Sequence, residues 1–152
     1  MAETRQLAAR YLRLHRQLAG LFDVTQDPMA RMATTAALLH NKLGHAFWTG
    51  FYLVRKDALV VGPYQGPLAC QVLEGKKGVC WTAVLGRKTV IVPDVRNFPE
   101  HHACDKRARS EIAVPIMDDQ GSVWAVLDLD STRLDAFSPT DAEGLERIAS
   151  LF

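Results

Sequence analysis

Apolar residues recur at spacings of three and four along residues 4–22, with Leu7, Tyr11, Leu14, Leu18 and Leu21 on one stripe, which predicts an amphipathic helix. Asp27-Pro28 supplies an N-cap and a first-turn proline, and Met29, Met32, Ala36 and Leu39 carry a second helix to a stop at Gly44. Methionines at that spacing read as core packing rather than as a soft binding face. The period then shortens. HAFWTGFYLV at 45–54 is aromatic and β-branched, and predicts a strand with Trp48, Gly50 and Tyr52 on one face and Phe47, Thr49 and Phe51 on the other. A glycine between two aromatics on one strand face marks close approach by a ligand or another backbone. A turn at 55–57 returns the chain as a strand over 58–64, and Gln65-Gly66-Pro67 breaks it before a short strand over 68–74 that carries Cys70. Gly75 and Gly78 lead into a helix from Val79 to Leu85 closed by Gly86, followed by a strand over 88–95 and a loop over 97–104.

From Ser110 onward the alternation is sharpest. Glu111, Ala113 and Pro115 share one strand face and Ile112, Val114 and Ile116 the other, while Asp128 and Asp130 oppose Leu127 and Leu129. Asp118-Asp119-Gln120-Gly121 between them is turn chemistry that predicts a hairpin. Ser138-Pro139-Thr140-Asp141 approaches a capping box and starts a last helix with Leu145, Ile148, Ala149 and Phe152 on its apolar side. The order of elements predicts an α+β fold across residues 1–152 as a single domain. Its core is a mostly antiparallel central sheet of about six strands with helices packed against it.

Composition narrows the function. A chain of 152 residues with net charge +1 offers no bulk electrostatic attraction to nucleic acid or to an anionic membrane, and no stretch approaches the ~20 apolar residues of a membrane span. The amino-terminal MAETRQLAARYLRLHRQ has an acid at Glu3 and no apolar signal core, so a cytoplasmic protein is expected. Three cysteines, an odd number, argue for redox or nucleophilic use rather than a disulfide scaffold.

If the hairpin forms, Glu111, Asp128 and Asp130 converge on one patch, with Cys104 arriving over it from the preceding loop. Like charges are costly to bury without a cation or a donor, so the patch is expected to receive something cationic beside a thiol. Carboxylates bind an ammonium, Trp48 and Tyr52 can wall an apolar or sulfur-bearing group, and a carboxyl whose pKa its neighbours raise can donate a proton. Lys106, Arg107 and Arg109 near Cys104 favour its thiolate. Cys80 falls in the first turn of a helix, where the dipole also favours a thiolate, but a small buried hydrophobe packed against the sheet is the preferred reading. Cysteines at 70, 80 and 104 with His101 and His102 give none of the short paired spacings of zinc sites, and no bound metal or cofactor is expected. Gly75 and Gly78 match no nucleotide-binding fingerprint.

The segments WTGFYL (48–53), GPYQGPLAC (62–70), GKKGVC (75–80), HHACDKRARSEIAVP (101–115) and VLDLDS (126–131) together resemble the free methionine-(R)-sulfoxide reductase family, which is built on a GAF domain. The resemblance covers about residues 36–150. It implies reduction of free methionine-(R)-sulfoxide, with Cys104 as nucleophile and Cys70 as the resolving cysteine that closes a disulfide with it. Thioredoxin is the implied donor, fed by NADPH through thioredoxin reductase. Cys80 is implied as a secondary resolving cysteine, and Trp48, Tyr52, Glu111, Asp128 and Asp130 as the substrate pocket. A homodimer is a family-level expectation, and amides near Gly78–Cys80 are candidates for the substrate carboxylate. Two positions depart from the pattern. Trp81 stands where the family has a small residue, and Ala125, preceded by Trp124, stands where it has glycine; Trp81 is expected to narrow the pocket or shift Cys80. The rival from another class is a GAF-type small-molecule or thiol redox sensor without catalysis.

Overall fold

A computed structural model describes residues 1–101 and 103–152. Its elements are α1 (Ala2–Phe22), α2 (Pro28–Lys42), β1 (Trp48–Arg55), β2 (Ala58–Gln65), β3 (Val72–Leu73), α3 (Val79–Gly86), β4 (Val90–Val92), a 3-10 turn at Val95–Asn97, β5 (Ser110–Met117), β6 (Val123–Ser131) and α4 (Pro139–Ala149). The strands form one antiparallel sheet in the order β3-β2-β1-β6-β5-β4. This is the expected α+β fold with six strands.

Alternation along the three central strands makes two cores. Phe51, Leu53, Ile112, Val114, Ile116, Leu127 and Leu129 face α1, α2 and α4, where Leu18, Leu39, Leu145 and Ile148 are fully buried. Trp48, Tyr52, Ala113 and Val126 face the other way, toward Val79, Cys80, Trp81 and Ala83 of α3. Each large side chain buried on the helical face is worth about 1.5–3 kcal/mol, so that layer carries most of the stability and frees the α3 side for polar residues.

Caps and turns fall where local chemistry puts them. Asp27 accepts from the Ala30 amide at the start of α2, and Ser138 with Asp141 completes a capping box at α4. Asp118 accepts from the Gln120 and Ser122 amides and Gly121 takes φ 79°, closing the β5–β6 hairpin. Pro115 fits in β5 because β4 pairs only with residues 111–113, leaving 115 at an open edge where a missing N–H is tolerated.

Several expected boundaries move. The first strand begins at Trp48 rather than 45, because 45–47 are taken up by the turn out of α2. Leu43 rather than Gly44 ends α2, with its amide on Leu39, and Arg87 rather than Gly86 takes the left-handed position after α3. The strand expected over 68–74 shrinks to Val72–Leu73, so Cys70 lies in a loop, and the one expected over 88–95 shrinks to Val90–Val92. Met32 is core, but Met29 is half exposed. Among the described residues, no helix is long and apolar enough to cross a membrane.

Candidate active site

Register builds the floor of the site. Trp48 pairs with Asp130, which pairs with Glu111, and in the next row Gly50 pairs with Asp128, which pairs with Ala113. Side chains of both rows rise on the α3 face. Asp128 thus stands between a glycine and an alanine, and its side chain lines a cavity. Gly50 is required for a reason the sequence left open. A Cβ there would lie 2.3 Å from Tyr64 Cβ and 2.7 Å from Trp48 Cη2, so the close approach is made by the neighbouring strand and the indole. The absent Cβ lets Trp48 lie flat in an aromatic row, with ring centroids 5.9 Å from Tyr52 and 5.3 Å from Tyr64. The Tyr52 hydroxyl donates to the Cys70 carbonyl at 3.0 Å and fixes the loop behind the wall.

The cavity is lined by Trp48, Tyr52, Gly78, Val79, Cys80, His101, Cys104, Glu111, Asp128 and Asp130 among others. Two segments meet over it. Cys70, after β2, and Cys104, before β5, are joined by a disulfide with Cα atoms 5.3 Å apart. Cys104 is exposed and Cys70 partly so. Leu68, at the rim, is 85% exposed.

Electrostatics follow from burial. Glu111 and Asp128 are buried, and desolvation pushes both well above the ordinary carboxylate range; Asp130 adds to the shift on Glu111, and Glu111 to that on Asp128. Asp130, nearer the rim, is raised by burial and then by Asp128 and Asp105. Two such carboxyls side by side hold a proton between them. His101 Nε2 lies 3.1 Å from Glu111 Oε2. Burial lowers the His101 pKa and raises that of Glu111, which disfavours the charged forms of both partners in this contact. It ties the Cys104 loop to the floor. His102, the other histidine of that loop, lies outside the described residues.

The buried reading of Cys80 holds, and one expectation about cations changes. Cys80 is in the first turn of α3 but is 3% exposed and faces acids, so burial and then Asp128 and Glu111 hold it as a thiol well above its ordinary pKa. The half-charge of a helix end does not offset two carboxyls in contact. Arg107 is taken by Asp105, with three hydrogen bonds from its amide and guanidinium holding the Asp105 pKa down to about 2. Its charge is therefore spent beside Cys104 rather than directed at it.

Trp81 does not line the cavity. It is buried, and its indole N–H donates to the Leu73 carbonyl at 3.0 Å, locking α3 to the end strand β3. Sequence reasoning missed Tyr64 as the outer member of the aromatic row and gave His101 no role in the site. The period-2 pattern of 58–65 contained the first signal, and no local signal contained the second.

The family model for the GAF domain matches residues 26–152. The chain is 37% identical over 140 residues to the free methionine-R-sulfoxide reductase of Escherichia coli, covering 92% of this chain and 84% of that one. It is 41% identical over 143 residues to GAF domain-containing protein A of Dictyostelium discoideum, covering 93% and 89%. The structure superposes with a TM-score of 0.90, at 42% identity, on that of free methionine-R-sulfoxide reductase from Neisseria meningitidis in complex with its substrate, over 95% of this chain and 86% of that one. The chain belongs to the GAF domain family, in its free methionine-R-sulfoxide reductase branch.

Proposed function

We propose that this chain reduces free L-methionine-(R)-sulfoxide to methionine, with Cys104 as nucleophile and Cys70 as resolving cysteine. The observation that carries the reading is a Cys70–Cys104 disulfide at the mouth of a cavity floored by Glu111, Asp128 and Asp130. In this scheme Cys104 attacks the sulfoxide sulfur, the oxygen passes to Cys104 as a sulfenic acid, and methionine leaves. The Cys70 thiol then displaces that oxygen as water and closes the disulfide. A dithiol such as thioredoxin then gives two electrons to the disulfide by thiol–disulfide exchange, ending as a disulfide itself and restoring both thiols.

The floor does two jobs. An ammonium gives the buried carboxyls the positive charge they lack, and a carboxyl kept protonated by its neighbours donates to the sulfoxide oxygen as negative charge grows there. A peptide nitrogen carries no charge to offer, which restricts the site to the free amino acid. Trp48 and Tyr52 wall the thioether, and the first-turn amides of α3 from Gly78, at the cavity edge, receive the substrate carboxylate. Cys80 stays outside the main path, because its thiol is buried and held protonated.

The test is a single turnover without reductant. Fully reduced wild type should release one methionine per chain from the free R-sulfoxide, none from the S epimer or the N-acetyl R form, and lose two of its three thiols. Cys70→Ser should still release one methionine and leave a sulfenic acid that a diketone reagent traps; Cys104→Ser should release none. No methionine from folded, reduced wild type would overturn the reading and favour a sensor.

A further inference from the structure

The fold brings an idle thiol against two of the carboxyls just assigned to the substrate. Cys80 Sγ, one Glu111 oxygen and one Asp128 oxygen lie within 4.8 Å of one another, all on buried residues. Cys80 Sγ is 3.9 Å from Glu111 Oε1, and on the other side of that carboxyl His101 Nε2 is 3.1 Å from Oε2. Asp128 Oδ1 is buried and has no hydrogen-bond partner among the described residues, although its residue lines the cavity. Packing alone explains none of this. A thiol gains only one weak hydrogen bond to Glu111 from facing two acids, and the ammonium assigned above would meet the leftover acceptor without using the sulfur.

We propose that Cys80, Glu111 and Asp128, with His101 at their edge, bind a thiophilic divalent cation of the zinc class, and that this cation inhibits by competing with the amino acid for the cavity floor. The donor set decides the class. Carboxylate oxygens alone would suit magnesium or calcium, but one sulfur, carboxylates and an imidazole suit zinc and its heavier analogue cadmium. Donors around a tetrahedral zinc stand roughly 3.3–3.8 Å apart given its bond lengths, so the set must close by about 1 Å, within reach of side-chain rotation of Glu111 and Asp128. The cation takes up the Cys80 sulfur as thiolate, and the displaced proton leaves to buffer. Position makes it a competitor, since the ammonium and the cation are drawn to the same acids. Chain spacing hid the site because α3, β5 and β6 each contribute one ligand.

The oxidised protein gives a clean test, because the Cys70–Cys104 disulfide leaves Cys80 as its one thiol. Cadmium added to oxidised wild type should raise a thiolate-to-cadmium ultraviolet band that saturates at one ion per chain. Cys80→Ser should abolish the band, and Asp128→Asn, checked as folded by circular dichroism, should weaken zinc binding in calorimetry by about tenfold or more. No band in wild type, or unchanged zinc affinity in Asp128→Asn, would overturn the site. The competitive half rests on the reductase reading, and free methionine should raise the apparent cadmium Kd in proportion to its concentration. Cadmium binding that methionine does not displace would overturn that half alone. Methionine formation in the single-turnover assay judges the reductase reading separately.

Discussion

Asp128→Asn should make the protein more stable at pH 8 and inactive, and little different in stability near pH 4.5. Asp128 is 4% exposed, stands beside Glu111 and has its pKa raised first by burial and then by Glu111. An acid raised in the folded state holds its proton there while the unfolded chain releases it. Stability from such a group is therefore fully present below the unfolded value near pH 4, and it falls as pH climbs toward the folded value. Each raised unit costs about 1.4 kcal/mol, and a buried polar atom without a partner costs about 1–3 kcal/mol. Asparagine removes the ionisation, keeps the shape and offers an N–H to Glu111. A gain of about 2 kcal/mol in a chain of 152 residues moves Tm by about 4–8 °C. Thermal unfolding of the oxidised protein followed by circular dichroism at both pH values measures it. Equal Tm values at pH 8, or the same gain at both pH values, would refute the reasoning, because the benefit would then come from packing rather than charge.

Gly50→Ala should lose at least tenfold in kcat/KM with a Tm drop, since its Cβ meets Tyr64 Cβ at 2.3 Å and the Trp48 ring at 2.7 Å and must push the wall into the cavity. A variant with wild-type kinetics would show that Trp48 does not set the pocket. Tyr11→Phe should cost about 1–2 kcal/mol with kinetics unchanged, because the Tyr11 hydroxyl donates to Asp141 at 2.8 Å far from the cavity; urea denaturation reads it. Asp141 itself should set the acid limb of stability. Burial would raise its carboxyl, but hydrogen bonds from His45, Ser138 and Tyr11 outweigh that and lower it. Its contribution is present above the unfolded value near pH 4 and is lost as pH falls through the folded one. Asp141→Asn should therefore flatten the loss of Tm between about pH 5 and 3. Reducing the disulfide should lower stability by as much as about 4 kcal/mol on chain-entropy grounds, its cysteines being 34 residues apart, and Cys70→Ser should lower it as much without reductant.

Much of this was legible because it rests on periods and short-range chemistry. Strand alternation put Glu111 opposite the isoleucines and Asp128 and Asp130 opposite the leucines, and the Asp118–Gly121 turn marked the hairpin, while the register that pairs Glu111 with Asp130 came only from the structure. What was not legible needs distant partners. Asp141 was readable as a cap, yet its contacts to Tyr11 and His45 lie 130 and 96 residues away. Gly86 and Gly44 have no role as caps because Arg87 and Leu43 end those helices, and tertiary packing decides which residue turns. Burial of Cys80 was legible, while the carboxyls that hold it protonated come from two other strands.

The two faces of the sheet divide the labour. Glu111 and Asp128 are raised by burial, a state that subtracts from stability whenever no cation is present, so a domain of this size can keep them only if the other face compensates. That face is occupied without interruption by Phe51, Ile112, Val114, Ile116, Leu127 and Leu129 under three helices, and its capping network at Asp141 shares no residue with the cavity. Because β5 and β6 supply both the acids and the leucines in strict alternation, a slip of one residue would put carboxyls under the helices and leucines in the cavity. The pairing that builds the core is thus the same pairing that assembles the acids, and the site cannot be misassembled without losing the fold.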